Sequence, residues 1–168
     1  MPLLLGGVSL ALILPVVLKL CKKCAIEDIT PEWLESFSPS TYYPMQGLLA
    51  EEDFKFLCRQ PGFDLSLYRK LRRDRLHIFQ QYLNRLIIDF NRLHTAARAI
   101  LASSPEDCSD LVTRLIWLKV RFAVTVFRVE VNYALCTVGF RPVAAGALIS
   151  RLEEMSTQLT AIASAQMA

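Results

Sequence analysis

The chain is poor in residues that interrupt or crosslink a fold: its 168 residues include six glycines, eight prolines and five cysteines. So few glycines and prolines exclude a collagen-like or low-complexity chain. Five scattered cysteines exclude a disulfide-stabilised scaffold. Charged residues make up 21% of the chain and the net charge is only +3, which indicates neither a multi-span membrane protein nor a strongly basic nucleic-acid-binding domain. The length fits one compact domain with an appendage.

Catalytic and metal-binding signatures are also missing. The sequence has no nucleophile elbow, phosphate-binding loop, HExxH motif or paired-carboxylate signature. Cys21 and Cys24 have metal-ligand spacing but no second ligand pair follows, and neither His77 nor His94 has a partner at ligand spacing. We therefore predict no catalytic residue, no metal site and no cofactor, and we favour a non-enzymatic role.

The longest apolar run lies at the N-terminus, where Met1 to Leu18 contains no charged side chain. Eighteen such residues form a helix of about 27 Å, which is enough to cross a thin bilayer core. Lys19, Lys22 and Lys23 follow the run, so the positive-inside rule places the N-terminus outside and the body in the cytoplasm. We predict a single-pass transmembrane anchor over residues 1–20, in the cell membrane.

Two other interpretations of this segment stay open. A cleaved signal peptide would need a basic start and a small-residue cleavage site, and the sequence offers neither in good form. A buried core helix of a soluble protein is the second alternative, although the run has no polar stripe for a solvent-facing side.

Residues 21–63 form an acidic connector with short helices. Ala25 to Arg59 contains seven acidic and two basic residues. Thr30-Pro31-Glu32 combines an N-cap, a proline and a first-turn acid, so a short helix begins there, and a second is predicted over Glu51 to Arg59. We expect the segment to pack against the body because its large apolar side chains are too numerous to remain in water. These side chains are Trp33, Phe37, Tyr42, Tyr43, Phe54, Phe56 and Leu57.

Residues 64–168 are predicted to form an all-α, antiparallel three-helix bundle, with helices over about 65–102, 105–138 and 142–163. The first helix carries apolar residues in steps of three and four, which is a heptad seam. The seam consists of Leu76, Phe79, Leu83, Leu86, Phe90, Leu93, Ala97 and Ile100. It must pack on a partner helix, either in this chain, in another protein or in a second copy.

The second body helix is ambiguous in its pattern. Apolar and polar residues alternate from Val120 to Val126 as in a strand, but a strand of about 20 residues exceeds the usual length. A helical wheel places Arg114, Arg121 and Arg128 on one narrow polar stripe and leaves most of the circumference apolar. We therefore predict a mostly buried central helix, and its charges exclude a second membrane span.

Lys119 and Glu130 lie within the apolar arc of that helix, and a buried charge needs a partner. If the hairpin turns near residues 103–104, Lys119 lies level with Asp89 and Glu130 lies level with His77. We predict register-fixing ion pairs between Asp89 and Lys119 and between Glu130 and the basic residues around His77. The alternative is a carboxylate with a shifted pKa in a bundle-core cleft, as in a small-ligand-binding protein or an enzyme.

A basic cluster lies near the start of the first body helix. Its members are Arg69, Lys70, Arg72, Arg73 and Arg75. We favour pairing with the acidic connector, because positive charge near a helix N-terminus opposes the helix dipole and calls for acids. Contact with acidic lipid headgroups is the second use. Nucleic acid is disfavoured because a groove-reading motif and interleaved aromatics are missing.

These patterns predict a membrane-anchored helical protein that acts as an interaction or scaffold module. The alternatives are a bundle-core ligand site or enzyme around Asp89, Lys119, Glu130 and His77, and a peripheral lipid or nucleic-acid contact through Arg69 to Arg75.

Overall fold

A computed structural model describes residues 30–102, 109–137 and 146–167, so the predicted anchor over residues 1–20 lies outside the described residues. The described chain is all-α, and no strand occurs within these ranges. Its elements are α1 (Pro31–Ser36), a 3₁₀ helix (Pro39–Tyr42), α2 (Pro44–Gly47), α3 (Glu51–Cys58), α4 (Leu65–Ala102), α5 (Ser109–Thr137) and α6 (Gly146–Met167). None of these described helices combines the length and hydropathy that a membrane crossing requires.

Local capping fixes where the helices begin. The Thr30 hydroxyl accepts a hydrogen bond from the Trp33 amide at 3.2 Å, so α1 starts where the Thr30-Pro31-Glu32 pattern predicts. Before α4, Gly62 has a φ of 86°, which glycine adopts without strain. The Asp64 carboxylate then accepts the amide and the hydroxyl of Ser66 at 2.8 and 2.7 Å, and these hydrogen bonds lower the pKa of Asp64.

The three long helices share one apolar core, which buries most of the α4 heptad seam. Phe90 stacks on Phe122 with ring centroids 3.6 Å apart, and Phe79 stacks on Tyr133 at 5.9 Å. The earlier α4 residue, Phe79, contacts the later α5 residue, Tyr133, and the later α4 residue, Phe90, contacts the earlier α5 residue, Phe122. The helices α4 and α5 therefore run antiparallel. From α6, the core receives Leu148, Leu152, Met155 and Leu159. The seam is therefore occupied within the chain.

Within the described residues, the helix bounds differ from the prediction at the end of the last helix. The bounds of α4 coincide with the predicted 65–102, while α5 is described from Ser109 and α6 from Gly146; residues 103–108 and 138–145 lie outside the described residues. The last helix, predicted to end at about residue 163, continues to Met167. Its final turns contain several alanines, the residue with the highest helix propensity.

The prediction that α5 is mostly buried is wrong. One side of α5 packs on the core through Leu115, Leu118, Phe122, Val126 and Val129, but a second apolar side faces solvent. Among the described helices only α4 and α6 pack extensively on α5, and they cover a single side of it. A helical wheel shows how wide an apolar arc is, but not how many neighbours are available to cover it.

Candidate functional site

Asp89 is the centre of a buried polar cluster that joins the connector to α4. Its side chain is almost fully buried, and the Tyr42 hydroxyl donates a hydrogen bond to Oδ2. Arg85 Nε lies 3.2 Å from the same oxygen, and Arg92 lies 3.8 Å from Oδ1. The Arg92 guanidinium also lies 5.5 Å from the centroid of the Trp33 ring, so two connector aromatics contact this cluster.

The Asp89 cluster supports the fold rather than an open reaction site. Tyr42 is 2% exposed and Asp89 is 4% exposed, so a substrate cannot reach the carboxylate. Burial raises the pKa of Tyr42, and the hydrogen bond to Asp89 raises it further, so the phenol stays a proton donor to the carboxylate. This geometry argues against the alternative interpretation, a bundle-core ligand site at Asp89.

Lys119 does not form the predicted ion pair with Asp89. The Phe90–Phe122 stack shows that α5 is displaced by about one helical turn from the expected register. Asp89 is paired with Arg85 and Arg92 instead, and Lys119 acts electrostatically on His94. The register therefore separates the two charges that the sequence placed level with each other.

His94 is a buried, neutral imidazole near the positive charges of Lys119 and Arg98. Burial, with the charges of Lys119 and Arg98, lowers its pKa from 6.5 to about 4. The ring bonds to the backbone of Leu115, which opposes this shift, while its Nε2 atom has no hydrogen-bond partner within the described ranges. His94 therefore holds α4 against α5 in the uncharged state.

His77 is exposed and hydrogen bonds to Gln81 at 3.0 Å. Glu130 is half-buried one turn before Tyr133, and burial together with the Glu130 charge raises the pKa of Tyr133. The predicted pairing of Glu130 with the basic residues around His77 stays a prediction.

Members of the basic cluster make different contacts. The cluster consists of Arg69, Lys70, Arg72, Arg73 and Arg75. Arg75 forms an ion pair with Asp53 at 2.8 Å and lies over the ring of Phe54, which is the favoured pairing with the connector. Arg72 donates a hydrogen bond to the backbone carbonyl of Cys136 near the end of α5. Arg69 and Arg73 line an open cleft, and Lys70 is exposed outside the cleft lining.

This cleft lies between the start of α4 and the end of α5 and has a volume of about 620 Å³. It is lined by Leu65, Tyr68, Arg69, Arg72, Arg73, Leu76, His77 and Tyr133. Arg69, Arg73 and His77 follow one another at four-residue intervals, so they lie on one face of α4. Sequence reasoning found the basic residues but missed Tyr133, which the antiparallel packing of α5 brings to the same place.

The exposed side of α5 carries a second heptad-spaced ridge, here called the outer α5 face. Trp117 is 59% exposed, Val120 is 46% exposed and Val124 is 47% exposed. The spacing of three and four continues through Phe127, which is half-buried because it also packs against the core, and through half-buried Val131. Exposed Arg114, Arg121 and Arg128 lie along one border. The heptad spacing is visible in the sequence. Because α5 has apolar residues on two sides, the sequence alone does not indicate which side is exposed to solvent.

Within the described residues no group of histidine, cysteine and acidic side chains has the arrangement of a metal site. Comparisons with protein-family models, with curated proteins and with solved structures find no match to this chain.

Proposed function

We propose that this chain is a membrane-anchored interaction module whose outer α5 face binds a helix of a partner protein. In this proposal residues 1–20 form a single-pass anchor, and the body is a cytoplasmic, antiparallel three-helix bundle. The uncharged run from Met1 to Leu18, followed by Lys19, Lys22 and Lys23, supports the anchor and its orientation.

The outer α5 face is the observation that carries the proposal. Its members occupy consecutive turns of one helix, so they form a contiguous apolar surface, and such surfaces mark interaction sites more often than isolated exposed residues do. Trp117 is the most exposed of them, and tryptophan is enriched among residues that dominate binding energy.

Heptad spacing favours a helix as the bound element. Trp117, Val120, Val124, Phe127 and Val131 follow the steps of four and three that let knobs of one helix enter holes of another. A lipid surface needs only an apolar arc and imposes no such spacing. The α4 seam is occupied within the chain, so the partner surface is placed on α5 rather than on the seam.

Charge on the border favours an acidic partner over a second copy. Arg114, Arg121 and Arg128 line the face on one side, and a symmetric dimer brings the same surface of each copy together. In an antiparallel symmetric dimer the two arginine rows would lie on the same side of the interface and repel each other, whereas a helix with glutamates or aspartates beside its apolar stripe would pair with them.

Site-specific photocrosslinking in cells tests this proposal. A benzophenone amino acid at position 120 of the full chain should give one discrete adduct with a different protein, and the same group at exposed Thr160 on α6 should give none. Arg121→Glu should reduce the adduct and Arg121→Lys should retain it. Adducts with lipid alone, with a second copy, or equally from both positions would contradict the proposal.

A further inference from the structure

The basic cleft has the features of an anion site. Arg69, Arg73 and His77 present side-chain nitrogens from one face of α4, and Tyr133 lines the cleft from α5, with its hydroxyl donating to the backbone carbonyl of Leu76 at 3.5 Å. Arg72 also lines the cleft, and its hydrogen bond to the carbonyl of Cys136 holds its guanidinium in place at the edge between the two helices. Three guanidinium groups of α4 therefore line one volume beside the end of α5.

Within the described residues, the ion pairs leave part of the positive charge in the cleft without a carboxylate partner. Asp53, the connector acid described nearby, is paired with Arg75, outside the cleft lining. Among the carboxylates of the described ranges, none lies within ion-pair distance of Arg69 or Arg73. Like charges held close together in an open cleft raise the local positive potential, which attracts anions.

We propose that this cleft binds a phosphate-bearing ligand with two or more negative charges. Guanidinium groups match phosphate oxygens with paired N–H donors, and three arginines at one site suit a ligand of more than one charge. The volume of about 620 Å³ exceeds what a single phosphate needs, and Leu65, Leu76 and the ring of Tyr68 offer apolar walls for an organic remainder.

The same chemistry is supplied by a soluble phosphorylated molecule or by a phosphorylated lipid headgroup. Ligand binding in the cleft is independent of the partner proposed for the outer α5 face, because the two sites use different residues. Val124→Glu, which alters the outer face, should therefore leave binding in the cleft unchanged.

The test measures binding by the full chain in nanodiscs of neutral phosphatidylcholine. Inorganic pyrophosphate is the soluble probe, titrated by calorimetry. In the second arm, chain embedded in neutral bilayers is mixed with separate vesicles containing a bisphosphorylated inositol lipid, and vesicle capture is measured. We expect at least one arm to show saturable binding that Arg69→Gln and Arg73→Gln each weaken about tenfold.

Lys70→Gln is the matched control, because it removes the same charge from the same helix outside the cleft lining. It should change the affinity less than twofold. An equal loss in Lys70→Gln and Arg73→Gln would show diffuse charge attraction and overturn the proposal. So would the absence of binding in both arms, or tighter binding to a single-stranded oligonucleotide with the same dependence on Arg69 and Arg73. Circular dichroism of each variant verifies that the helices remain folded.

Discussion

The hydroxyl of Tyr42 donates a hydrogen bond to the carboxylate of Asp89 across a separation of 47 residues, and both side chains are buried. This contact joins the 3₁₀ helix of the connector to the middle of α4. The Asp89 carboxylate also forms ion pairs with Arg85 and Arg92, so it contacts the connector and two arginines of α4 at the same time.

Removing the Tyr42 hydroxyl should destabilise the fold without changing its shape. Tyr42→Phe leaves a buried carboxylate short of one donor, which costs about 1–3 kcal/mol of unfolding free energy. Urea unfolding of the full chain in detergent, followed by circular dichroism, measures this cost. Tyr43→Phe is the control, because Tyr43 is exposed and bonds to Glu153 at the surface. Equal effects of the two substitutions would contradict a special role for the Tyr42–Asp89 bond.

His94 should make the stability depend on pH. Its pKa is lowered to about 4 in the folded chain, whereas the unfolded chain has the ordinary value near 6.5. The unfolded state therefore binds the proton first, so the contribution of neutral His94 is complete above pH 6.5 and is lost as the pH falls towards 4. The predicted loss from this group is about 3 kcal/mol, since each pKa unit corresponds to about 1.4 kcal/mol.

The measurement is the urea unfolding free energy of the full chain in detergent at several pH values between 7 and 4. His94→Gln should flatten the profile in this window, although the substitution lowers stability at pH 7. His77→Gln should retain the profile, because His77 is exposed. A profile as steep in His94→Gln as in the unaltered chain would assign the dependence to other groups.

Membrane attachment is a separate prediction that depends on residues 1–20. The full chain should remain in the membrane fraction after salt and carbonate washing, and protease added to intact cells should leave the body uncut. Placing two aspartates in the run, as Leu12→Asp with Val16→Asp, should release the chain into the soluble fraction. Release of a shortened body by the unaltered chain would identify an export signal instead.

Local patterns predicted the helices well. Thr30 and Pro31 located the start of α1, and the heptad seam from Leu76 to Ile100 identified α4 and its buried side. These features depend on residues within a few turns of one another, which is why the sequence alone is enough to identify them. The same reasoning identified the basic residues of the cleft.

Contacts between distant segments were less predictable. The register of α5 against α4 differs by about one helical turn from the expected one, which moves Lys119 from Asp89 towards His94. The partner of Asp89 from outside its own helix is Tyr42, in a connector that has no periodicity to indicate which side chain turns inward. The exposure of Trp117 depends on how many helices pack on α5, and a local sequence pattern does not indicate how many do.

We propose that the outer α5 face binds a partner and contributes little to the stability of the fold. Its most direct test combines two measurements on Val124→Glu: the crosslinking yield from position 120 in cells, and the urea unfolding free energy. We expect loss of the adduct, with an unfolding free energy within about 0.5 kcal/mol of that of the unaltered chain, because Val124 is 47% exposed. An adduct of unchanged yield, or a loss of several kcal/mol in stability, would contradict it.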